Sequence, residues 1–253
     1  MRCFRGICAA ALFAVLALAA GCGEAEQETQ ASQPATTPIL TSPQQGAELP
    51  AKRPEPAKAA AQGGKKFDFY VLALSWSPSY CEAEGAGANE QQCGGRPYAF
   101  VVHGLWPQFE RGFPTDCKTD IDRVSSELVD SLYDIMPSAA LIGHQWRRHG
   151  SCSGFRQEDY FATLRQAREK IVIPAAYGRL DMAKTVGPEA VERAFVLSNP
   201  SMPAAGISTV CDKRYFREVR ICLTKELAFR PCPELEQRGC RAAKVVMPPV
   251  RGR

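Results

Sequence analysis

Residues 67–74 have the sequence FDFYVLAL, a dense apolar run that predicts a buried β-strand. Before this run, residues 22–66 are rich in Ala, Gln, Pro, Glu and Thr and contain almost no large apolar side chains. A segment of that composition cannot bury enough apolar surface to offset the entropy that it loses on ordering. We therefore predict that residues 22–66 are a flexible linker and that one folded domain spans residues 67–253.

Apolar patterns beyond residue 74 predict the other elements of this domain. Apolar runs predict strands at residues 98–102, 207–211 and 215–224, and helical spacing predicts helices at residues 121–136, 139–149, 157–171 and 188–197. Because the helices fall in the middle and the strands at both ends, the predicted fold class is α+β. We expect a central antiparallel sheet packed with several helices in a single domain held by disulfides.

The composition excludes several classes of protein. The chain has 253 residues, of which 45% are hydrophobic and 23% charged, and this excludes collagen-like, coiled-coil and wholly disordered chains. The net charge of +4 falls to about +2 without Arg2 and Arg5. So weak an excess does not indicate a polyelectrolyte binder, and any nucleic-acid site must therefore be local.

The N-terminus has the pattern of a bacterial targeting segment. Arg2 and Arg5 precede an apolar stretch at residues 7–20, which is shorter than the roughly 20 residues of a membrane span. Residues 18–22, LAAGC, resemble a lipoprotein cleavage box. We predict a signal peptide at residues 1–21 and lipidation at Cys22, with ordinary cleavage to a soluble protein as the alternative. The expected location is outside the cytoplasm: periplasmic, lipid-anchored at the outer membrane, or secreted.

The cysteine count favours an oxidising compartment. Of eleven cysteines, Cys3 and Cys8 leave with the signal peptide, and lipidation would occupy Cys22. The even number that remains suits a disulfide framework. These cysteines are Cys81, Cys93, Cys117, Cys152, Cys211, Cys222, Cys232 and Cys240.

All three histidines lie in two short blocks. In the first, residues 100–108 (FVVHGLWPQ), a strand is predicted to end at His103 before a turn. The second is residues 144–152, HQWRRHGSC. In a helix, residues four apart share a face, which would pair His144 with Arg148 and Gln145 with His149.

Such a set of side chains suits the cleavage of RNA by internal transesterification. That reaction needs a base for the 2′-hydroxyl proton, an acid for the departing 5′-oxygen, and positive charge near the phosphate. Two histidines can serve as base and acid, and a third histidine with an arginine can bind phosphate oxygens. No metal is required.

The two blocks resemble the paired active-site signatures of the ribonuclease T2 family of secreted, often acid-active ribonucleases. Residues 103–107, HGLWP, match the first signature. Residues 144–152 are similar to the second, His-Glu-Trp-x-Lys-His-Gly-Thr-Cys. Residues 74–81 and 221–225 resemble the first strand with its turn and the late strand of the family, so that the likeness covers residues 67–240.

The resemblance implies an endoribonuclease of low base specificity that acts on single-stranded RNA without a metal or other cofactor. It implies that His103 is the general acid and His149 the general base. His144 and Arg148 would bind the phosphate, and the product would be a 2′,3′-cyclic phosphate. We expect a monomer that meets a membrane only through its lipid anchor.

Three departures from the family pattern bear on the chemistry of the site. Gln145 replaces a glutamate and so removes a negative charge, which should lower the pKa of nearby histidines below that in typical members. Arg148 replaces a lysine and keeps the charge. Gln108 stands where several members have an aspartate that contacts the base, which leaves the base preference open.

Four aromatic residues lie in or near the signatures. The resemblance favours stacking of an RNA base on Trp106. Trp76 and Phe100 fit either base stacking or core packing, and both are candidate substrate-binding residues together with Trp106 and Gln108. For Trp146 we expect core packing.

The resemblance also implies a disulfide pairing: Cys81–Cys93, Cys117–Cys152, Cys211–Cys240 and Cys222–Cys232. The Cys117–Cys152 bridge would fasten the chain after the first signature to the end of the second. It would thereby help to hold His103 near His149.

Three other functions remain open. Gln145 is compatible with a family member that binds RNA without cutting it. A zinc hydrolase is a poor fit, because the five-residue step from His144 to His149 does not suit two ligands on one helix. A purely structural disulfide-rich surface protein would explain the cysteines but not the placement of the histidines.

Overall fold

The computed structural model describes residues 67–251. Its strands are β1 (Phe69–Trp76), β2 (Phe100–Gln108), β3 (Lys184–Val186), β4 (Ile207–Cys211), β5 (Phe216–Leu223) and β6 (Val245–Met247). Its α-helices are α1 (Ser77–Glu84), α2 (Ser126–Asp130), α3 (Ala139–Arg148), α4 (Gln157–Glu169), α5 (Pro188–Ser198) and α6 (Pro233–Gln237).

Four strands form an antiparallel sheet in the order β2-β1-β5-β4, and β3 pairs with β6 in a small second sheet. The predicted fold class, a central antiparallel sheet packed with helices, is confirmed. Leu72 and Leu74 of β1 point to the face that carries the main core. Phe161 of α4 and Phe195 of α5 are buried in the same core.

Strand β2 continues through the first histidine block, so the prediction that it ends at His103 is wrong. Across the β1–β2 pair, Ala73 lies opposite Gly104 and Leu74 lies opposite Val102, which leaves His103 as an extra residue in a β-bulge. The extra residue shifts the alternation of side chains by one. The apolar pattern therefore breaks at this point although the strand does not.

The predicted helix at residues 121–136 is largely wrong, because only Ser126–Asp130 is α-helical. Ser125 caps its N-terminus by accepting a hydrogen bond from the backbone N–H of Leu128. The carbonyl of Ile121 instead accepts hydrogen bonds from the side chains of Trp146 and Gln157. The sequence showed the apolar spacing but not these long-range hydrogen bonds.

Trp76 and Phe100 belong to the core, so their predicted contact with an RNA base is corrected. Trp76 is fully buried, and its indole N–H donates to the carbonyl of Pro248. The Phe100 ring packs edge-on against the rings of Trp76, Phe195 and Phe216. Neither ring has a free face for a base.

Four disulfides join the pairs that the family resemblance implies: Cys81–Cys93, Cys117–Cys152, Cys211–Cys240 and Cys222–Cys232. The predicted signal peptide, the lipidation site Cys22 and the linker lie outside the described residues. Within residues 67–251, none of the helices has both the length and the hydropathy of a membrane span.

Candidate active site

His103 lies on the face of the sheet opposite the main core, and the bulge in β2 brings Trp106 to the same face. Before the bulge Val102 faces the core, and after it Leu105 does so. His103 and Trp106 therefore lie on the other face, where Glu218 of β5 is also found. One extra residue thus brings side chains of the first signature beside a residue from the far end of the chain.

Glu218 is a buried carboxylate with three hydrogen-bond partners. Its Oε2 accepts from Nδ1 of His103 (2.6 Å) and from Oγ of Ser75 (3.1 Å), and its Oε1 accepts from Nε of Arg220 (2.8 Å). Burial alone would raise the pKa of this carboxyl, but the hydrogen bonds and charges of His103 and Arg220 outweigh it and lower the pKa. The carboxylate is therefore ionised and fully hydrogen-bonded.

Trp106 contacts both catalytic candidates. The centroid of its ring lies 5.3 Å from that of His103 and 5.4 Å from that of His149. Its indole N–H donates to Oε1 of Gln145 (2.8 Å), and the guanidinium of Arg220 lies 5.1 Å from its ring centroid. The half-exposed indole thus contacts both imidazoles and is itself fixed by Gln145 and Arg220.

His149 follows the last residue of α3 and is half-buried. Burial and, to a smaller extent, the positive charges of Arg148, His103 and His144 together lower its pKa to about 4, while Asp116 opposes the shift. Gln145, one turn earlier on α3, carries no charge that would oppose it. The imidazole of His149 is therefore neutral over most of the acid range.

His144 and Arg148 lie on the exposed side of α3. His144 lines a cavity of about 390 Å³ together with His103, Tyr80 and Leu141. The Nη1 atom of Arg148 lies 2.6 Å from Oδ2 of Asp116 in an exposed ion pair. The structure therefore brings His144 to the cavity beside His103 and gives Arg148 a carboxylate partner that the sequence did not reveal.

Gln108 lies at the end of β2, half-buried, and its side-chain amide donates to the carbonyl of Pro107. It lines a separate shallow cavity with Phe109 and Phe113. Trp146 is buried in the core, as predicted.

Sequence reasoning missed Glu218, Arg220 and Asp116. Glu218 and Arg220 are two residues apart in β5 and so point to the same face, an ion-pair pattern that the sequence contains. Their distance from both signatures along the chain hid their connection to His103. Asp116 gave no signal beyond its position next to Cys117.

No group of three His, Cys, Asp or Glu side chains within the described part of the chain is arranged to hold a metal ion. What the site offers is two imidazoles in different surroundings. The first is hydrogen-bonded to a carboxylate, and the second lies among positive charges.

The family model described as the ribonuclease T2 family matches residues 67–232. The chain belongs to the ribonuclease T2 family. A ribonuclease of Aeromonas hydrophila is 33% identical over 184 residues, which cover 67% of this chain and 77% of that protein. Ribonuclease DdI of Dictyostelium discoideum is 28% identical over 193 residues, which cover 69% of this chain and 82% of that protein. The T2 chain described here is accordingly an endoribonuclease of this type.

Solved structures of similar fold support the architecture. Trichomaglin, described as a novel S-like ribonuclease, has a TM-score of 0.59 and 19% identity, and the match covers 74% of this chain and all of that one. RNase NT, solved in complex with 5′-AMP, has a TM-score of 0.55 and 23% identity, covering 73% of this chain and all of that one. At these identities the likeness shows the T2 fold alone.

Proposed function

We propose that this T2 ribonuclease cleaves single-stranded RNA with His149 as general base and His103 as general acid. His149 takes the proton of the 2′-hydroxyl, and the 2′-oxygen attacks the adjacent phosphorus. The bond from phosphorus to the 5′-oxygen breaks, and His103 gives its proton to that oxygen. The products are a 2′,3′-cyclic phosphate and a free 5′-hydroxyl, and proton exchange with water restores both imidazoles.

The observation that carries this proposal is the contrast between the two imidazoles that flank Trp106. The pKa of about 4 keeps His149 neutral and able to accept a proton. His103 is instead hydrogen-bonded through Nδ1 to the buried carboxylate of Glu218, which leaves its Nε2 to face the leaving group. Environments that differ in this way assign the base and the acid.

His144 and Arg148 are proposed to bind the phosphate that is cleaved. His144 is exposed and lines the same cavity as His103, which suits a contact with a phosphate oxygen. Arg148 must exchange its ion pair with Asp116 for the substrate, and because that pair is exposed the exchange costs little. Charge-assisted hydrogen bonds from both side chains would stabilise the charge of the transition state.

Recognition of the base is proposed for Trp106 and Gln108. Trp106 is half-exposed beside both imidazoles, and base–aromatic stacking is sequence-tolerant. Gln108 offers an amide in place of a carboxylate and therefore both donates and accepts. Both features suit a nuclease of low base specificity.

The test is cleavage of single-stranded RNA by the purified, disulfide-intact chain in EDTA between pH 4 and 8. We expect 2′,3′-cyclic ends, and a loss of rate of roughly 10²–10⁴-fold in His103→Ala and in His149→Ala. Arg148→Ala tests the proposed phosphate contact. Its control is Arg147→Ala, because Arg147 is the neighbouring exposed cation on α3. Activity that requires a divalent metal would contradict the mechanism.

The presence of Gln145 favours a second candidate function, that of a family member that binds RNA without cutting it. The amide lies buried and hydrogen-bonded to Trp106, where a family glutamate would carry charge. Binding of RNA by a folded, oxidised chain that yields no cyclic ends would favour this function over catalysis.

We further propose that the chain acts outside the cytoplasm as a monomer, with a signal peptide at residues 1–21 and a lipid on Cys22. Four disulfides in one domain support an oxidising compartment. Mass spectrometry of the mature N-terminus tests the lipid, and Cys22→Ser would release the protein if the lipid anchors it.

A further inference from the structure

The buried carboxylate of Glu218 lies directly beside the proposed general acid. It lies on β5, and its Cα partner on β1 is Ser75. Each of its oxygens is held, Oε1 by Arg220 and Oε2 by Ser75 and His103. The carboxylate therefore has a fixed position, 2.6 Å from Nδ1 of a half-exposed histidine.

We propose that Glu218 is a positioning residue for the reaction: it holds a proton on Nδ1 of His103, so that Nε2 is the nitrogen that protonates the departing 5′-oxygen. This inference rests on the role of His103 as general acid. An ionised carboxylate can only accept, so Nδ1 must donate. The hydrogen bond of one ring nitrogen fixes the tautomer and orientation of the imidazole and leaves the other nitrogen for chemistry.

Of the charged neighbours of His103 named here, Glu218 is the one with negative charge. Arg220 on β5, and His144 and His149 at α3, are positive or become so on protonation. Gln145, buried beside Trp106, is neutral. Among these groups only Glu218 balances a proton that His103 carries before the leaving group departs.

The first test reads the tautomer directly and needs no variant. The chain has three histidines, so ¹⁵N-labelled histidine gives few imidazole signals, and His103→Asn assigns that of His103. At a pH where the spectrum shows the ring of His103 to be neutral, we expect its proton on Nδ1. A neutral ring protonated on Nε2 would overturn the proposal, whatever the activity of the protein.

The second test separates help to the leaving group from every other role. Cleavage of RNA expels an alkoxide that needs a proton, whereas a nucleoside 3′-(4-nitrophenyl phosphate) expels a stable phenolate that needs none. For Glu218→Gln we expect a fall in kcat on RNA of about tenfold or more, with KM unchanged, because the neutral amide no longer holds the Nδ1 proton or orients Nε2–H toward the 5′-oxygen. On the nitrophenyl ester we expect a change of less than about threefold, because that leaving group needs little acid catalysis.

Glu192→Gln is the matched control. Like Glu218, Glu192 is a glutamate that bonds to the sheet, since its Oε1 accepts from the backbone and hydroxyl of Thr209, and it is half-buried. We expect it to leave both rates unchanged. Equal losses on both substrates in Glu218→Gln, or no loss on either, would overturn the proposal.

Glu218→Asp keeps the carboxylate and covers the case in which Glu218→Gln does not fold. Each rate is compared with that of a folded Glu218→Ala. We expect the gain of Glu218→Asp over Glu218→Ala to be larger on RNA than on the nitrophenyl ester. The reverse order would overturn the proposal. If the unmodified chain cleaves neither substrate in EDTA, the proposed mechanism itself fails. The NMR measurement then still shows whether Glu218 holds the proton on Nδ1 of His103.

Discussion

The indole N–H of Trp106 donates a hydrogen bond to Oε1 of Gln145 across 2.8 Å, and Gly104 makes room for it. A Cβ atom at Gly104 would meet both Oε1 of Gln145 and Nε1 of Trp106 well inside contact distance. The glycine of the first signature is therefore required by packing, since the edge of β2 and the helix α3 touch at this point.

Gly104→Ala is expected to lower the free energy of unfolding by about 2 kcal/mol or more, because buried overpacking forces backbone or side chains to move. Activity on RNA should fall as well, since Trp106 contacts both imidazoles. Gly143→Ala is the control, because its Cβ would meet only the flexible Arg147 side chain. Urea unfolding measures the stability of both variants, and equal stability would contradict the packing argument.

Gln145→Glu is expected to move the acid limb of kcat/KM to higher pH. A carboxylate one turn before His149 would favour its charged form and raise its pKa from about 4. The base then becomes neutral only at higher pH. Gln166→Glu makes the same change of charge at an exposed site of α4 and should leave the pH profile in place. An acid limb that stays fixed in Gln145→Glu would contradict the electrostatic account.

Asp116→Asn is expected to lower KM for RNA by a few fold, because it removes the carboxylate that competes with phosphate for Arg148. Asparagine tolerates the left-handed backbone of Asp116, whose φ is 51°. Asp134→Asn, which breaks the exposed pair with Arg165, is the control and should leave KM unchanged. Steady-state kinetics at low and high salt provide the comparison, and an unaltered KM in Asp116→Asn would argue against phosphate binding by Arg148.

The protein should become less stable as the pH falls, because of His149. Its pKa is about 4 in the folded protein and near 6.5 when unfolded, so below pH 6.5 the unfolded chain takes up a proton that the folded one does not. The contribution is complete above pH 6.5 and is lost as the pH falls toward 4. After discounting for solvent screening of a half-exposed ring, we expect about 2 kcal/mol.

His149→Asn isolates this effect, because it lacks the titrating ring. The difference in unfolding free energy between the unmodified chain and the variant should be larger at pH 7.5 than at pH 4.5. Denaturant unfolding at the two values measures it. A difference that does not depend on pH would show that the pKa of His149 is close to 6.5 in the folded state.

Local patterns sufficed for most of the fold, and they also drew attention to the three histidines as candidate site residues. Strand β1, helices α3 to α5 and the late strands follow directly from apolar periodicity, because each buries one face. The full extent of β2 did not, since a one-residue bulge at His103 imitates the end of a strand.

The parts of the site that sequence reasoning missed depend on contacts between distant residues. Glu218 lies 115 residues from His103, and only the pairing of β5 with β1 brings the two together. The burial of Phe100 likewise follows from packing against Phe195 of α5 and Phe216 of β5, and Trp76 in turn contacts Phe100 and Pro248. In contrast, the spacing of His144 and His149 on one helical segment was evident from the sequence.

The bulge in β2 makes catalysis and folding share one register. Val102 and Leu105 lie in the core only in the register that puts His103 and Trp106 on the opposite face, where the candidate active site is. His103 and Trp106 reach that face only in the same register. An insertion or deletion of one residue in this strand would expose core side chains and bury an imidazole at the same time. We therefore expect β2 to tolerate substitutions but not a change in its length.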